Sequence, residues 1–267
     1  MIPLSHKLEQ WCRHKIGTGR ILNTQGIQDL NEAVELNKGS QQILSSFGNK
    51  EFKAMVGFID VRGFSKAATG KNPAEVREIA APFIAAVVDA ATRHECFIDK
   101  TIGDEVMVVM PWFDRDTILS DVRMPTRQIP EIDLSRLFSD LIENLQKRTP
   151  TTKFSAGFAF GTLVLDQVGG GSYSEWTVYG NTVNAAKRLQ SRQPADSWAD
   201  KNVVAIGAIA ADNPDYEKGL RTWVQAIEPA GGGPLKLISP VVGQEDFKGV
   251  GPVSFIHSAI EARYAPR

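Results

Sequence analysis

The chain has 267 residues, 42% of them hydrophobic and 23% charged, with a formal net charge of −1. That composition suits one sizeable globular domain with an extension, and it lacks the global basic field that nucleic-acid binding requires. Two cysteines far apart, Cys12 and Cys96, imply no disulfide framework, and the four histidines form no zinc-type cluster. No apolar run reaches the roughly 20 residues that cross a bilayer, and the N-terminus lacks the apolar core of a signal peptide. The expectation is a cytoplasmic protein without stable membrane insertion and without a nucleic-acid partner.

Residues 1–50 read as a helical extension: Leu4, Leu8, Trp11 and Cys12 share a helical face, Gly17 and Gly19 interrupt it, and 28–46 resume the period. This is either a dimerising arm or a helix packed on the domain that follows. From 51 to 267 a second organisation begins. Ala54–Asp60 is an apolar run ending in an acid, as a central strand would be. Residues 73–93 carry apolar positions at helical spacing behind Pro73. Cys96–Lys100 and Val106–Met110 read as two strands joined by a tight turn. Residues 111–132, rich in Pro and Asp, read as an inserted loop. A helix is expected over 133–148, strands over 153–166 and 174–179, and a helix over Val183–Arg192, before a tail of short elements. The order β-α-β-β-α-β predicts an α+β fold, a ferredoxin-like or palm-type sheet with its helices on one face.

Two acids stand out in that layout. Asp60 ends the first strand and Asp104 occupies the turn between the second and third. A ferredoxin-like sheet sets those strand tips side by side, and paired carboxylates there suit hard divalent cations. Either acid alone would be an ordinary turn residue. Gly63, in the segment Val61-Arg-Gly-Phe-Ser65, permits close approach of backbone N–H groups to phosphate oxygens. Further on, Asn184 and Arg188 lie four apart and so share a helix face. Asparagine offers a donor and an acceptor suited to a ribose; arginine offers a planar fork suited to charge developing on a phosphate.

Taken together, Phe58-Ile-Asp-Val-Arg-Gly-Phe-Ser65, Asp99-Lys-Thr-Ile-Gly-Asp-Glu-Val-Met107, Ser155 to Gly161, Tyr179-Gly-Asn-Thr-Val-Asn-Ala-Ala-Lys-Arg-Leu189 and Phe247-Lys-Gly-Val-Gly251 resemble the class III nucleotidyl (adenylate and guanylate) cyclase catalytic domain, over about residues 52 to 258. The resemblance implies a nucleoside triphosphate substrate and two Mn²⁺ or Mg²⁺ ions per site, held by Asp60 and Asp104 with help from the Val61 carbonyl. It implies that Gly63, Phe64 and Ser65 hold the terminal phosphates, that Asn184 orients the ribose, that Arg188 stabilises the transition state and that Lys248 contacts the phosphate tail. It also implies a homodimer, because in this family the metal half and the Asn/Arg half of each site come from different subunits.

Two positions in the family read the base, here Lys100 and Thr177, with Ile102, Val178 and Val183 as apolar walls and Phe58 or Trp176 narrowing the slot. Lysine donates only, so it faces adenine N1, uracil O4 or cytosine N3, and threonine suits adenine's amino group or uracil N3–H. The pair departs from the usual guanine arrangement. With no sensor or membrane segment beside it, the chain is similar to the short pyrimidine cyclases of Pycsar anti-phage systems. That favours UTP as substrate, cyclic UMP as product and a cyclic-nucleotide-responsive effector downstream, with adenylate cyclase as the alternative. Ile102-Gly-Asp-Glu-Val106 is also similar to the hairpin of diguanylate cyclases, but the Asn184–Arg188 helix does not belong to that family. A non-catalytic nucleotide-binding dimer is the remaining competitor, and a polymerase palm would need a basic template channel that the net charge does not support.

Overall fold

The computed structural model describes residues 51–94, 96–112, 130–148, 152–170, 173–192, 203–211 and 235–263, with 198, 225 and 227 singly. The helical extension expected over 1–50 and most of the expected insertion lie outside them. Strand β1 (Glu51–Val61) leads into a short helix α1 (Phe64–Ala68) and then α2 (Pro73–Arg93). Strands β2 (Phe97–Ile102) and β3 (Glu105–Trp112) follow, then α3 (Pro130–Arg148). The long β4 (Phe154–Gly170) and β5 (Tyr173–Tyr179) precede α4 (Asn181–Gln190). Strands β6 (Ala205–Ala211), β7 (Leu235–Phe247) and β8 (Gly251–Ala262) complete the sheet. Residues 111–112 thus belong to β3 and 130–132 to α3, so the segment 113–129 is what separates two regular elements.

The strand order is β2-β3-β1-β4-β6-β8-β7, with β5 paired to β4. Its first four strands are mutually antiparallel, which is the ferredoxin-like order the sequence predicts. Strand β6 then joins β4 in parallel, and the β7–β8 hairpin widens the sheet. Helix α2 starts where Asn72 caps it: its side chain accepts from the backbone of Ala74 and Glu75 at 3.0 and 3.1 Å, and the Glu75 carboxylate accepts from the Asn72 N–H at 2.9 Å.

The helices do not lie on one face, as the sequence pattern suggests. Alternate residues of β1 face opposite layers. Met55, Ile59 and Val61 pack with Phe83 and Val87 of α2 and Leu137 and Phe138 of α3. Ala54, Val56 and Phe58 pack with Ala185 and Ala186 of α4 on the other face. The unbroken apolar run of β1 is the mark of a strand covered on both sides.

Helix α4 sits unusually close to the sheet. A Cβ built on Gly157 of β4 would meet the Gln190 backbone nitrogen at 2.1 Å and the Ala186 carbonyl oxygen at 2.4 Å. These are backbone atoms that no side-chain rotation removes. Gly157→Ala is therefore expected to push α4 outward and to lower unfolding free energy by about 1–3 kcal/mol, the usual cost of overpacking, read as a lower urea midpoint.

Candidate active site

Asp60 lies near the end of β1, on the α4 face. Strand β3 is its neighbour, with Ile59 opposite Val106, so the β2–β3 turn falls beside it. That turn has two residues, Gly103 and Asp104, between the paired Ile102 and Glu105, and Gly103 takes a φ of 63° that favours glycine. The structure brings the two expected carboxylates into hydrogen-bonding contact. Burial, and then the hydrogen bond and charge of Asp60, push the Asp104 carboxyl up to about 7, against the pull of backbone N–H groups of Asp104 itself and Val61. Like charges this close share a proton when no cation separates them.

The donor chemistry fits a hard divalent ion. Both side chains offer oxygen only, and among the described residues no group of three or more His, Cys, Asp or Glu builds a closed metal cage. Two carboxylates with a backbone carbonyl leave positions for water and substrate phosphates, as Mg²⁺-type sites do. The adjoining loop turns at Gly63, left-handed at φ 75°. Phe64 anchors it on the apolar core, and Gly63 and Ser65 stay exposed.

Helix α4 divides its faces. Thr182, Ala185, Ala186, Leu189 and Gln190 are buried, and Asn184 and Arg188 are exposed. Gln190 Nε2 donates to Asp60 Oδ2 at 3.2 Å and to Ser155 Oγ at 3.0 Å. Lys187 Nζ pairs with Glu105, donates to Gln190 Oε1 at 3.0 Å and lies 5.5 Å from the centre of the Phe58 ring. The expected Asn184–Arg188 pair thus shares one face, but that face is not the one turned to Asp60. Sequence reading missed Gln190, Lys187, Glu105 and Ser155 as neighbours of the acids. The spacing of Lys187 and Gln190 was visible; their partner strands were not.

The pair expected to read the base, Lys100 and Thr177, meets within one chain. Lys100 Nζ donates to Thr177 Oγ1 at 3.1 Å and lies 3.2 Å from Asp99 Oδ2. Thr177 Oγ1 in turn donates to Asp99 at 3.3 Å, and Asp99 is completely buried. The β2–β3 register slips between Ile98 and Lys100, so Asp99 is the extra residue of a bulge. A bulge breaks side-chain alternation, and consecutive residues reach the same partner. Val178, expected as a wall of the slot, and Phe58, expected to narrow it, are buried between sheet and α4, because they fall on the strand faces that α4 covers. Val183 packs partly against the same core, and Ile102 is exposed. Lys248 is exposed in the β7–β8 turn. That hairpin is held to the end of α4 through Leu189 and an Arg192–Glu245 ion pair.

Residues 49–197 match the family model described as the adenylate and guanylate cyclase catalytic domain. The chain belongs to that family and carries a class III nucleotidyl cyclase domain. The uncharacterized protein Rv1318c of Mycobacterium tuberculosis is 28% identical over 155 residues, which cover 58% of this chain and 27% of the relative. A second, Rv1320c of the same organism, is 25% identical over 155 residues. The matched segment is thus about a quarter of the length of these relatives. Among solved structures, the guanylyl cyclase Cya2 superposes with a TM-score of 0.52 at 20% identity, covering 79% of this chain and 93% of its own. The adenylyl cyclase CyaB from P. aeruginosa gives 0.52 at 18% identity, covering 81% and 98%. The guanylate cyclase domain of RhGC from Catenaria anguillulae, in complex with GTP, gives 0.52 at 16%, covering 80% and 100%. These likenesses show the fold.

A raised carboxyl has a consequence for stability. The folded chain keeps the Asp104 proton up to about 7, whereas the unfolded group loses it near 3.8. The folded state binds the extra proton across that window, so its stability falls as pH rises from about 4 to about 7 and levels off above. In the presence of a chelator, the melting temperature of the wild type is expected to carry this downward component, Asp104→Asn to remove it and Asp60→Asn to lessen it. An equal slope in all three proteins would show that the pair is not its source.

Proposed function

We propose that this domain converts a nucleoside triphosphate to a 3′,5′-cyclic monophosphate and pyrophosphate at two composite sites of a homodimer. The observation that carries the composite reading is the split of α4. At about 100° per residue, Arg188 points about 200° away from Gln190, the residue that touches the chain's own Asp60. Asn184 and Arg188 are exposed on that outer face, free for a site completed by a second copy.

In this reading Asp60 and Asp104 of one protomer, with the Val61 carbonyl, hold the two divalent ions. Ions held there would supply acidification of the ribose 3′-hydroxyl and charge neutralisation of the triphosphate. Asn184 of the other protomer holds the ribose, and Arg188 offers its donors to the α-phosphate as charge grows there. The 3′-oxygen bonds to the α-phosphorus, the bond to the β-phosphate bridge breaks, and the hydroxyl proton leaves to solvent. Gly63, Phe64, Ser65 and Lys248 take the departing pyrophosphate. Lys248 enters through its turn, tied to the end of α4.

The base assigned to the Lys100–Thr177 pair is uracil. The Lys100 ammonium has three hydrogens, and Asp99 and Thr177 engage two. The Thr177 hydrogen is directed to Asp99, which leaves one lone pair to accept. One donor beside one acceptor suits uracil O4 and N3–H. Uracil also has no exocyclic amino group, so it brings no second donor hydrogen to a pair that offers one acceptor. Adenylate cyclase is the second reading, because adenine N1 and one amino hydrogen satisfy the same pair. A role for cyclic UMP as second messenger to an anti-phage effector belongs to this proposal, on the strength of the resemblance to Pycsar-type cyclases.

Purified protein incubated with Mn²⁺ and each of the four ribonucleoside triphosphates is expected to yield mainly cyclic UMP. Dominant cyclic AMP would replace uracil by adenine, and no cyclic product from any of the four would leave a nucleotide-binding dimer. The composite arrangement has its own check. Asp60→Ala and Arg188→Ala proteins are expected to be inactive singly and to recover up to about a quarter of wild-type activity when mixed. Random pairing makes half the dimers mixed, each with one intact site of two. Absence of recovery from well-folded, exchanging variants would rule out shared sites.

A further inference from the structure

We propose that Gln190 is a positioning residue for Asp60, fixing that carboxylate for cation binding from the helix whose outer face serves the opposite site. The proposal rests on the cyclase reading above. Both ends of the Gln190 amide are hydrogen-bonded. Its nitrogen donates to Asp60 and to Ser155 at 3.2 and 3.0 Å. Its oxygen accepts from Lys187 at 3.0 Å, and the Ser191 hydroxyl, 3.1 Å from that oxygen, divides its one hydrogen between it and the Lys187 carbonyl. Gln190 is only 6% exposed. Turning the amide over would set its oxygen against a carboxylate and its nitrogen against an ammonium, so one orientation alone is tenable.

The arrangement does more than fill space. Donation to Oδ2 restricts rotation of the Asp60 carboxylate. Lys187, which orients the amide, also pairs with Glu105, the residue after Asp104. The inner face of α4 therefore braces both strand ends that present the acids. Partners of this kind, which orient a ligand without touching the ion, are typically worth about 10- to 100-fold in metal affinity or activity.

Because Asp60 and Arg188 of one chain serve different sites, Gln190 can be assigned to one of them. Take the mixed dimer of an Asp60→Ala chain with an Arg188→Ala chain. Its single competent site draws Asp60 from the second chain and Arg188 from the first. Gln190→Met added to the chain that supplies Asp60 is expected to lower the recovered activity at least about tenfold. Added to the chain that supplies Arg188, it acts on a carboxylate already removed, and the recovered activity stays. A residue that merely supports α4 would give the reverse or an equal loss. The same placement rule is expected for Gln190→Glu, which keeps the length and the acceptor for Lys187 but loses the donor to Asp60, should the Met variant fail to fold.

A readout independent of turnover accompanies it. Mn²⁺ titrated alone into the folded Gln190→Met protein, followed by electron paramagnetic resonance of the free ion, is expected to bind at least about tenfold more weakly than to wild type. Equal Mn²⁺ affinity, or activity that follows the Arg188 chain, would overturn the proposal. If the parental mixture shows no recovery, the shared-site reading fails, and the Mn²⁺ titration still decides the role of Gln190.

Discussion

Helix α4 lies against the backbone of β4 because residue 157 has no side chain, and much of the site follows from that contact. The Gln190 and Ala186 backbone atoms stand where a Cβ would be. Only at that separation does the Gln190 amide reach Asp60, and the same approach sets Lys187 against Glu105. The inner face of α4 meets the sheet mainly with Ala185, Ala186 and Leu189, so it buries less apolar surface than larger side chains would. The opposite layer supplies bulk instead, with Phe138 stacked on Phe154 at 6.1 Å and tilted against Phe158 at 5.5 Å. One face is built for volume and the other for closeness.

The carboxylates near the site are treated in two ways. Asp99, completely buried, has the Lys100 ammonium and the Thr177 hydroxyl beside it, and Glu105, nearly as buried, has Lys187. A buried charge without such partners costs several kcal/mol. Asp60 and Asp104 face each other, more open to solvent, and the proton between them substitutes for a positive partner. The two lysines that border these acids are committed elsewhere. In the proposed reaction a divalent cation would take the place of that proton.

Some of this was legible in the sequence for definite reasons. The adjacency of Asp60 and Asp104 follows from a strand, a two-residue hairpin and the ferredoxin-like order, all written in local patterns. Asn184 and Arg188 share a face by their spacing alone. The second layer over the sheet was also signalled, since the run Ala54–Ile59 has no polar member to face solvent, yet an α+β pattern invites a one-sided arrangement. Asp99 was not legible as a partner of Thr177, because the bulge that turns it inward is a property of β2 pairing with β3. The bond from Gln190 to Asp60 spans 130 residues and depends on how closely two elements pack. That Phe58 and Val178 pack under α4 was hidden for the same reason: an apolar side chain near a site reads alike whether it lines a slot or the core beneath it.

The geometry of α4 also bears on why the proposed chemistry requires two chains. For Arg188 to reach its own Asp60, the helix would have to turn by about half a revolution about its axis. That rotation would carry Ala186 and Gln190 off Gly157, break the hydrogen bonds from the Gln190 amide to Asp60 and Ser155, and expose Ala185 and Leu189. Closure by a small hinge within one chain is therefore not available, and a packed interface yields to such a change only by unfolding locally. Docking a second copy against the outer face asks for none of this. The contact that fixes Asp60 within a chain is thus the same contact that keeps Arg188 for the partner, so the division of labour follows from the packing of a single helix.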